Sequence, residues 1–236
     1  MSLIDNEQKA TLERFFLQII ERNLTEEAMQ WLKTKVSLIK AEDKSLQLNL
    51  CFSHLPRFAG KKIIELSETE LDEIMDLSHG FTVENWTIDR LCRVWLLMQI
   101  PDQDKDQYLK KINGLFAAAE MNEQIALYSA LPFYTYPEEW ISRTEDGIRS
   151  NIGSVLEAIM YYNPYPAKYL SENAWNQLVL KAFFTEKNVD YIIGLQSRSN
   201  EKLIETLNDY VQERLAAHRT VNPEIYELIE QQNQKI

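Results

Sequence analysis

Thr87-Ile88-Asp89-Arg90-Leu91-Cys92-Arg93-Val94-Trp95-Leu96-Leu97-Met98-Gln99, followed by Ile100-Pro101, is the stretch on which the fold turns. At a helical step of about 100° per residue, Leu91, Val94, Trp95, Leu96, Leu97 and Met98 cover nearly the whole circumference. A helix that is apolar all round belongs inside a protein. The dense apolar part, Leu91 to Ile100, is too short to cross a bilayer, which takes roughly 20 residues. The segment therefore reads as the central, most buried helix of the N-terminal half, ended by Pro101.

Outward from that helix the same 3.6-residue period recurs in amphipathic form. Leu12, Phe15, Phe16, Ile19 and Ile20 give one stripe, and Trp31, Leu32, Val36 and Ile39 another behind a Thr25 cap. Asp43 is placed to cap a third helix carrying Leu48, Cys51, Phe52, Leu55 and Phe58, closed by Gly60. Ser67 and Glu70 make a capping-box pattern ahead of Leu71, Ile74 and Met75. Beyond Pro101, Asp102 or Asp104 starts a helix through Tyr108, Ile112, Leu115 and Phe116, and Asn122 starts a short one ending at Leu131-Pro132. Pro137 suits a first helical turn.

One helix is expected from Ile148 through Met160, stopped by a rigid loop at Asn163-Pro164-Tyr165-Pro166. A helix around Trp175 capped by Ser171, a long one from Leu203 to Leu215, and a last short turn after Val221-Asn222-Pro223 complete the chain. Alternating strand patterns are missing, and no fixed repeat period is visible. The expectation is one all-α domain over residues 1–236. It would hold about ten antiparallel helices, stacked as an irregular, HEAT-like α-solenoid or folded as a bundle.

Composition narrows the function classes. The net charge of −11 over 236 residues argues against nucleic acid, whose binding is driven by counterion release from a cationic surface. It also disfavours anionic lipid surfaces. Six glycines leave little room for a glycine-rich phosphate loop. Cys51 and Cys92, both in apolar helical stretches, read as buried free thiols in a reducing compartment. With no apolar signal core at the start, a cytoplasmic location without a membrane span is expected.

The polar side chains that matter most fall where helices should be apolar. On a continuous helix from Ile148, Arg149 lies between Leu156 and Met160, and Asn151 beside Val155 and Ala158. Asn176 falls between Leu180 and Phe183, while Gln177 and Lys181 share the polar side. Arg214 falls between Leu203 and Leu207, and His218 between Leu207 and Val211. A buried guanidinium alone costs several kcal/mol, so each needs a carboxylate, carbonyls or a ligand. Arginine is also the side chain best shaped to hold a carboxylate or phosphate. The structural alternative is an ion pair or carbonyl cap for the arginines and cross-helix bonding for Asn176. Arg149, Asn151, Tyr165, Asn176, Gln177, Lys181 and Arg214 are the ligand-binding candidates. No catalytic residue, metal site or cofactor is expected, because no nucleophile–base spacing repeats a working pattern.

Those residues also carry a resemblance. The blocks are Gly147-Ile148-Arg149-Ser150-Asn151, Asn163-Pro164-Tyr165-Pro166-Ala167-x-Tyr169 and Trp175-Asn176-Gln177-x-Val179-Leu180-Lys181-Ala182. Ile193-Gly194-Leu195-x-x-Arg198-x-Asn200, Tyr210-x-x-Glu213-Arg214-x-Ala216-Ala217-x-Arg219 and Pro223-Glu224 follow. Together they resemble the EboA family over residues 115–228, and the first hundred residues only loosely. His218 departs from the family pattern. The resemblance implies a bacterial operon protein tied to making or exporting a secondary metabolite. Its implied partners are other ebo-operon proteins: prenyltransferase-like, metal-dependent-hydrolase-like, isomerase-like and cyclase-like.

Two functions compete. One is a non-enzymatic helical scaffold or adaptor acting through partner proteins of a pathway to a prenyl-linked secondary metabolite. The other is an anion-binding protein or enzyme, with Arg149 and Arg214 holding an isoprenoid diphosphate or sugar phosphate. Asp72-Glu73-Ile74-Met75-Asp76 resembles the first aspartate-rich motif of isoprenoid synthases. Its carboxylates project opposite the Leu71/Ile74/Met75 stripe, however, and Gln212 and Ala216 stand where a second motif would need serine and glutamate.

Overall fold

Local capping chemistry sets most of the helix boundaries. A computed structural model describes residues 3–42 and 44–233. Asp5 accepts from the Gln8 amide and Gln8 reaches back to the Asp5 amide, opening α1 (Asn6–Asn23). Thr25 caps α2 (Glu26–Ala41). Asp43, the expected cap of α3 (Leu46–Ala59), lies outside the described residues; Gly60, at φ +75°, ends that helix as expected. The Ser67–Glu70 capping box opens α4 (Glu68–Leu77), and Arg22 of α1 clamps the same carboxylate at 2.5 Å. On α4 Ile74 is buried while Asp72, Glu73 and Asp76 face solvent, the arrangement of an ordinary amphipathic helix.

The apolar stretch forms α5 (Ile88–Met98), with every residue from Ile88 to Leu97 buried except the half-buried Arg90. Asp104 caps α6 (Lys105–Ala118). The next helix, α7 (Met121–Ser129), starts one residue before Asn122, because Glu120 and Glu123 form the capping pair. After a 3₁₀ turn at Pro137–Trp140 come α8 (Ile141–Arg149), α9 (Gly153–Met160), α10 (Pro164–Tyr169) and α11 (Glu172–Phe184). The chain continues through α12 (Glu201–Ala216) and α13 (Glu224–Asn233).

The fold is all-α: thirteen α-helices and three 3₁₀ turns among the described residues, with two isolated β-bridges, Ile63 to Thr87 and Tyr161 to Ile192. The excess over ten helices has identifiable causes. The helix expected from Ile148 to Met160 is broken at Ser150–Ile152. There the Ser150 hydroxyl bonds the Gly147 carbonyl at 2.8 Å, and Ser150 and Ile152 turn extended. The Asn163-Pro164-Tyr165-Pro166 stretch is not a loop but the start of α10, with Pro164 in its first turn and Asn163 accepting from the Tyr165 amide.

Packing runs along a spine. The α5 helix lies against α1, α3 and α7, and α7 lies against α9, which meets α8 and α10. One contiguous buried cluster extends from Ile4 to Leu228 along this spine. Cys51 and Cys92 are both buried and free within it, and burial pushes the Cys51 thiol up to about 12.

Candidate functional site

The seven candidate residues occupy separate places, and none lines any of the four cavities described below. Because the helix breaks at Ser150, Arg149 ends α8 instead of entering the apolar stripe. It stands exposed, 2.7 Å from Asp146 and 3.9 Å from Glu145. Asn151 is exposed in the break, and Gln177 is exposed on α11. Lys181 donates to the Ser150 carbonyl at 2.6 Å, capping the end of α8. Arg214 bonds the Thr220 carbonyl at 2.9 Å, near Glu186 at 3.8 Å. Tyr165 is fully buried, with its hydroxyl on the Pro137 carbonyl at 2.5 Å.

Asn176 and Asn200 exchange reciprocal amide bonds of 3.1 and 2.9 Å, and Asn200 also caps α12. A further guanidinium, Arg198, donates to the carbonyls of Pro166, Ala167 and Leu170 while lying 4.8 Å over the Trp175 ring. Buried Asn163 spans two helices, donating to the Tyr128 and Ala158 carbonyls. Gly194 holds φ +82° where a Cβ would come within 2.8 Å of Ala167. The polar side chains of these blocks are thus a structural lock joining α10, α11 and α12.

Two of the four cavities offer little for binding. One of about 360 Å³ is lined by the 189–197 loop alone. Another of about 460 Å³, between α1 and the end of α5, carries a Lys40–Gln99–Glu13 chain whose members already bond one another.

The remaining two are adjoining chambers. The larger, about 260 Å³, is walled by Trp86, Ile125, Ala158, Tyr161, Tyr162 and Tyr191, with Glu84, Ser154 and Glu157 among its polar groups. The smaller, about 220 Å³, is lined by Lys61, Thr87, Asp89 and Asn122. Asn85, Arg90 and Ile125 belong to both, which places Arg90 at the waist of one continuous cleft.

Every wall comes from the α5–α7–α9 spine or from the two β-bridges beside it. The Ile63–Thr87 bridge holds the Trp86 loop through Ile64 N to Trp86 O at 2.9 Å. The other bridge is reinforced by Tyr162 N to Tyr191 O at 2.8 Å, bringing those rings into a stack 4.8 Å apart. Tyr161 meets Tyr191 edge-on at 5.3 Å. Asn85 and Tyr162, both lining residues, sit at φ +59° and +50°. Left-handed backbone at a non-glycine residue costs about 1–2 kcal/mol, and two of the six such residues among those described lie on this rim.

The electrostatics here differ from those of the α10–α12 lock. Arg90 lies 3.9 Å over the Trp86 ring and donates twice to the neutral Ser129 hydroxyl, at 3.0 and 2.7 Å. Burial pushes its pKa down, and Glu157 and Asp89 push it back. Asp89 is buried and paired through Oδ2 with Arg93 at 2.7 Å, while its buried Oδ1 has no hydrogen-bond partner among the described residues. Glu157 is paired with Lys187. Burial raises the Tyr161 and Tyr162 phenols, keeping them protonated donors. The arrangement suits holding a small molecule: a flat aromatic wall with a fixed cation beside it.

Sequence reasoning missed this cleft. Asp89, Arg90 and Arg93 sit inside the stretch quoted first, hidden by its apolar majority. Tyr161-Tyr162 immediately precede a quoted block, and only the fold brings Tyr191 beside them. The charges within an otherwise apolar helix were the available signal.

No helix among the described residues is long and apolar enough to cross a membrane. Among the described residues no group of three or more His, Cys, Asp or Glu side chains is placed to hold a metal ion. No curated relative and no solved structure matches the chain. A family model does, and it reaches well into the N-terminal half that the sequence blocks left loose: over residues 12–230 the chain matches, and belongs to, the EboA family, described as metabolite traffic protein EboA.

Proposed function

We propose that the protein is a non-enzymatic accessory protein of metabolite traffic that holds a small molecule in the Trp86–Arg90–Tyr191 cleft and passes it to partner proteins. The observation carrying this is the facing of Arg90, stacked on Trp86, with the Tyr162–Tyr191 pair in one cavity. The family description supports it. Holding is favoured over turnover because Asp89 and Glu157 already have basic partners in Arg93 and Lys187. A carboxylate fixed in an ion pair is a poor general base.

Our reading keeps the cytoplasmic location and the operon partners that the resemblance implies, the prenyltransferase-like, hydrolase-like and isomerase-like proteins of a prenyl-linked pathway. Support for the partner-contact half comes from α2 and α3. Leu46, Leu50 and Phe58 are exposed at four- and eight-residue spacing on α3, with Phe58 stacked 3.9 Å from Trp31. An isoprenoid diphosphate held by Arg149 and Arg214 is disfavoured, since those side chains lie on separate helices and each has its own partner.

The test is thermal unfolding of the full chain with a low-molecular-weight extract of the native host. A ligand at about 100 times its Kd adds about 2.7 kcal/mol, and this stabilisation should vanish in Arg90→Met and Tyr191→Ala. Stabilisation that survives in both variants would place the ligand elsewhere.

A further inference from the structure

We infer that the cleft takes a neutral, polyhydroxylated six-membered ring, a monosaccharide or cyclitol, and not a polyanion, an organic cation or a long apolar chain. This inference rests on the reading of the cleft as a metabolite site.

Charge comes first. Lys61 and Arg90 line the cleft together with Glu84, Asp89 and Glu157, and Arg93 and Lys187 sit behind the last two as counter-charges. The signs are nearly matched around the cavity. A diphosphate would gain Arg90 but lie against the carboxylates, and an ammonium ion would meet the reverse.

Hydrogen bonding then selects among neutral ligands. Arg90, Lys61, Asn85 and Asn122 offer donors; Glu84 and the amide oxygens of Asn85 and Asn122 offer acceptors. A set mixed over so short a span is best met by groups that donate and accept at once, and hydroxyls do both. Glu84, exposed at the cleft, is the strongest acceptor open to a ligand hydroxyl, and a charged acceptor makes the stronger hydrogen bond. The tyrosine stack supplies the remaining feature, a flat face for the C–H side of a saturated ring. Size agrees: the wider chamber, about 260 Å³, suits one small ring, with the adjoining 220 Å³ open to its substituents.

Saturation-transfer NMR on the full chain tests this with four probes at millimolar concentration: myo-inositol, methyl β-glucoside, tetramethylammonium and benzoate. Transfer to the ring protons of at least one polyol is expected. It should fall about fivefold or more in Tyr191→Ala and in Glu84→Leu, about 1 kcal/mol by the tenfold-per-1.4 rule. Both substitutions are at partly or fully exposed positions and should leave the thermal midpoint near wild type. Transfer to tetramethylammonium or benzoate but not to the polyols would overturn the ligand class while leaving the cleft as the site. So would host-extract stabilisation that depends on Arg90 without any polyol signal. Polyol transfer unchanged by both variants, or no Tyr191-dependent signal together with no Arg90-dependent extract effect, would overturn the site as well.

Discussion

The α10–α12 region and the α5–α9 cleft treat polar groups in opposite ways. In the first, the ligand-binding candidate Asn176 and its neighbours Asn163, Arg198 and Asn200 bond backbone or one another. In the second, a stretch that reads as plain core holds Asp89 with a buried oxygen unpartnered and Arg90 bonded only to a neutral hydroxyl among the described residues. The lesson is that unusual polarity in a sequence marks places where helices must be joined at least as often as places where something binds. Incomplete satisfaction does not separate the two by itself, since Trp175 Nε1 and Ser199 Oγ of the first region are also buried without partners among the described residues; the cavity beside Arg90, which only coordinates reveal, is the better mark of a site.

The comparison predicts a graded series of losses. Arg93 should dominate, because it neutralises buried Asp89 at 2.7 Å and bonds the Phe52 carbonyl at 3.0 Å. Arg93→Met is expected to cost about 3–5 kcal/mol in urea unfolding, with Asp89→Leu in the same chain recovering most of it. A loss below about 1 kcal/mol would mean that the α5 charges are solvated and the cleft's electrostatics misassigned.

Next comes Arg198→Ala, which removes three carbonyl bonds and the contact with Trp175, for about 2–3 kcal/mol. Lysine cannot reproduce the forked geometry, so Arg198→Lys should recover little of the denaturation midpoint. Ligand stabilisation should persist in both variants; its selective loss would erase the distinction between lock and cleft.

Gly147→Ala probes the joint between the two regions. A Cβ there would come within 2.5 Å of Ile159 and 2.7 Å of the Tyr128 ring, so about 1–3 kcal/mol of overpacking cost is expected in calorimetry. Arg149→Ala closes the series at about 0.5 kcal/mol or less, since its ion pair is more than half exposed on both sides. A larger effect, or lost ligand stabilisation, would restore Arg149 to the functional site.

How far the sequence speaks can be judged from particular residues. Caps at Thr25, Ser67, Asp104 and Ser171 are local contacts between a side chain and an amide three residues on, so their types alone place them. Burial of α5 follows from its apolar circumference. The break at Ser150 was hidden because the apolar period continues through it from Ile148 to Met160, while the Ser150 hydroxyl closes α8 on the Gly147 carbonyl. Arg149's position on a continuous wheel was lost with that helix.

By itself the sequence determined an all-helical chain, its central helix and its membership blocks, because periodicity and capping are interactions between residues three and four apart. Tertiary structure alone decided which polar groups find partners. Tyr191 joins Tyr162, and Arg90 reaches Ser129, across chain separations that no helical period encodes. Whether a buried charge is a brace or a binding group depends on which distant segments pack beside it, and that is a property of the folded arrangement.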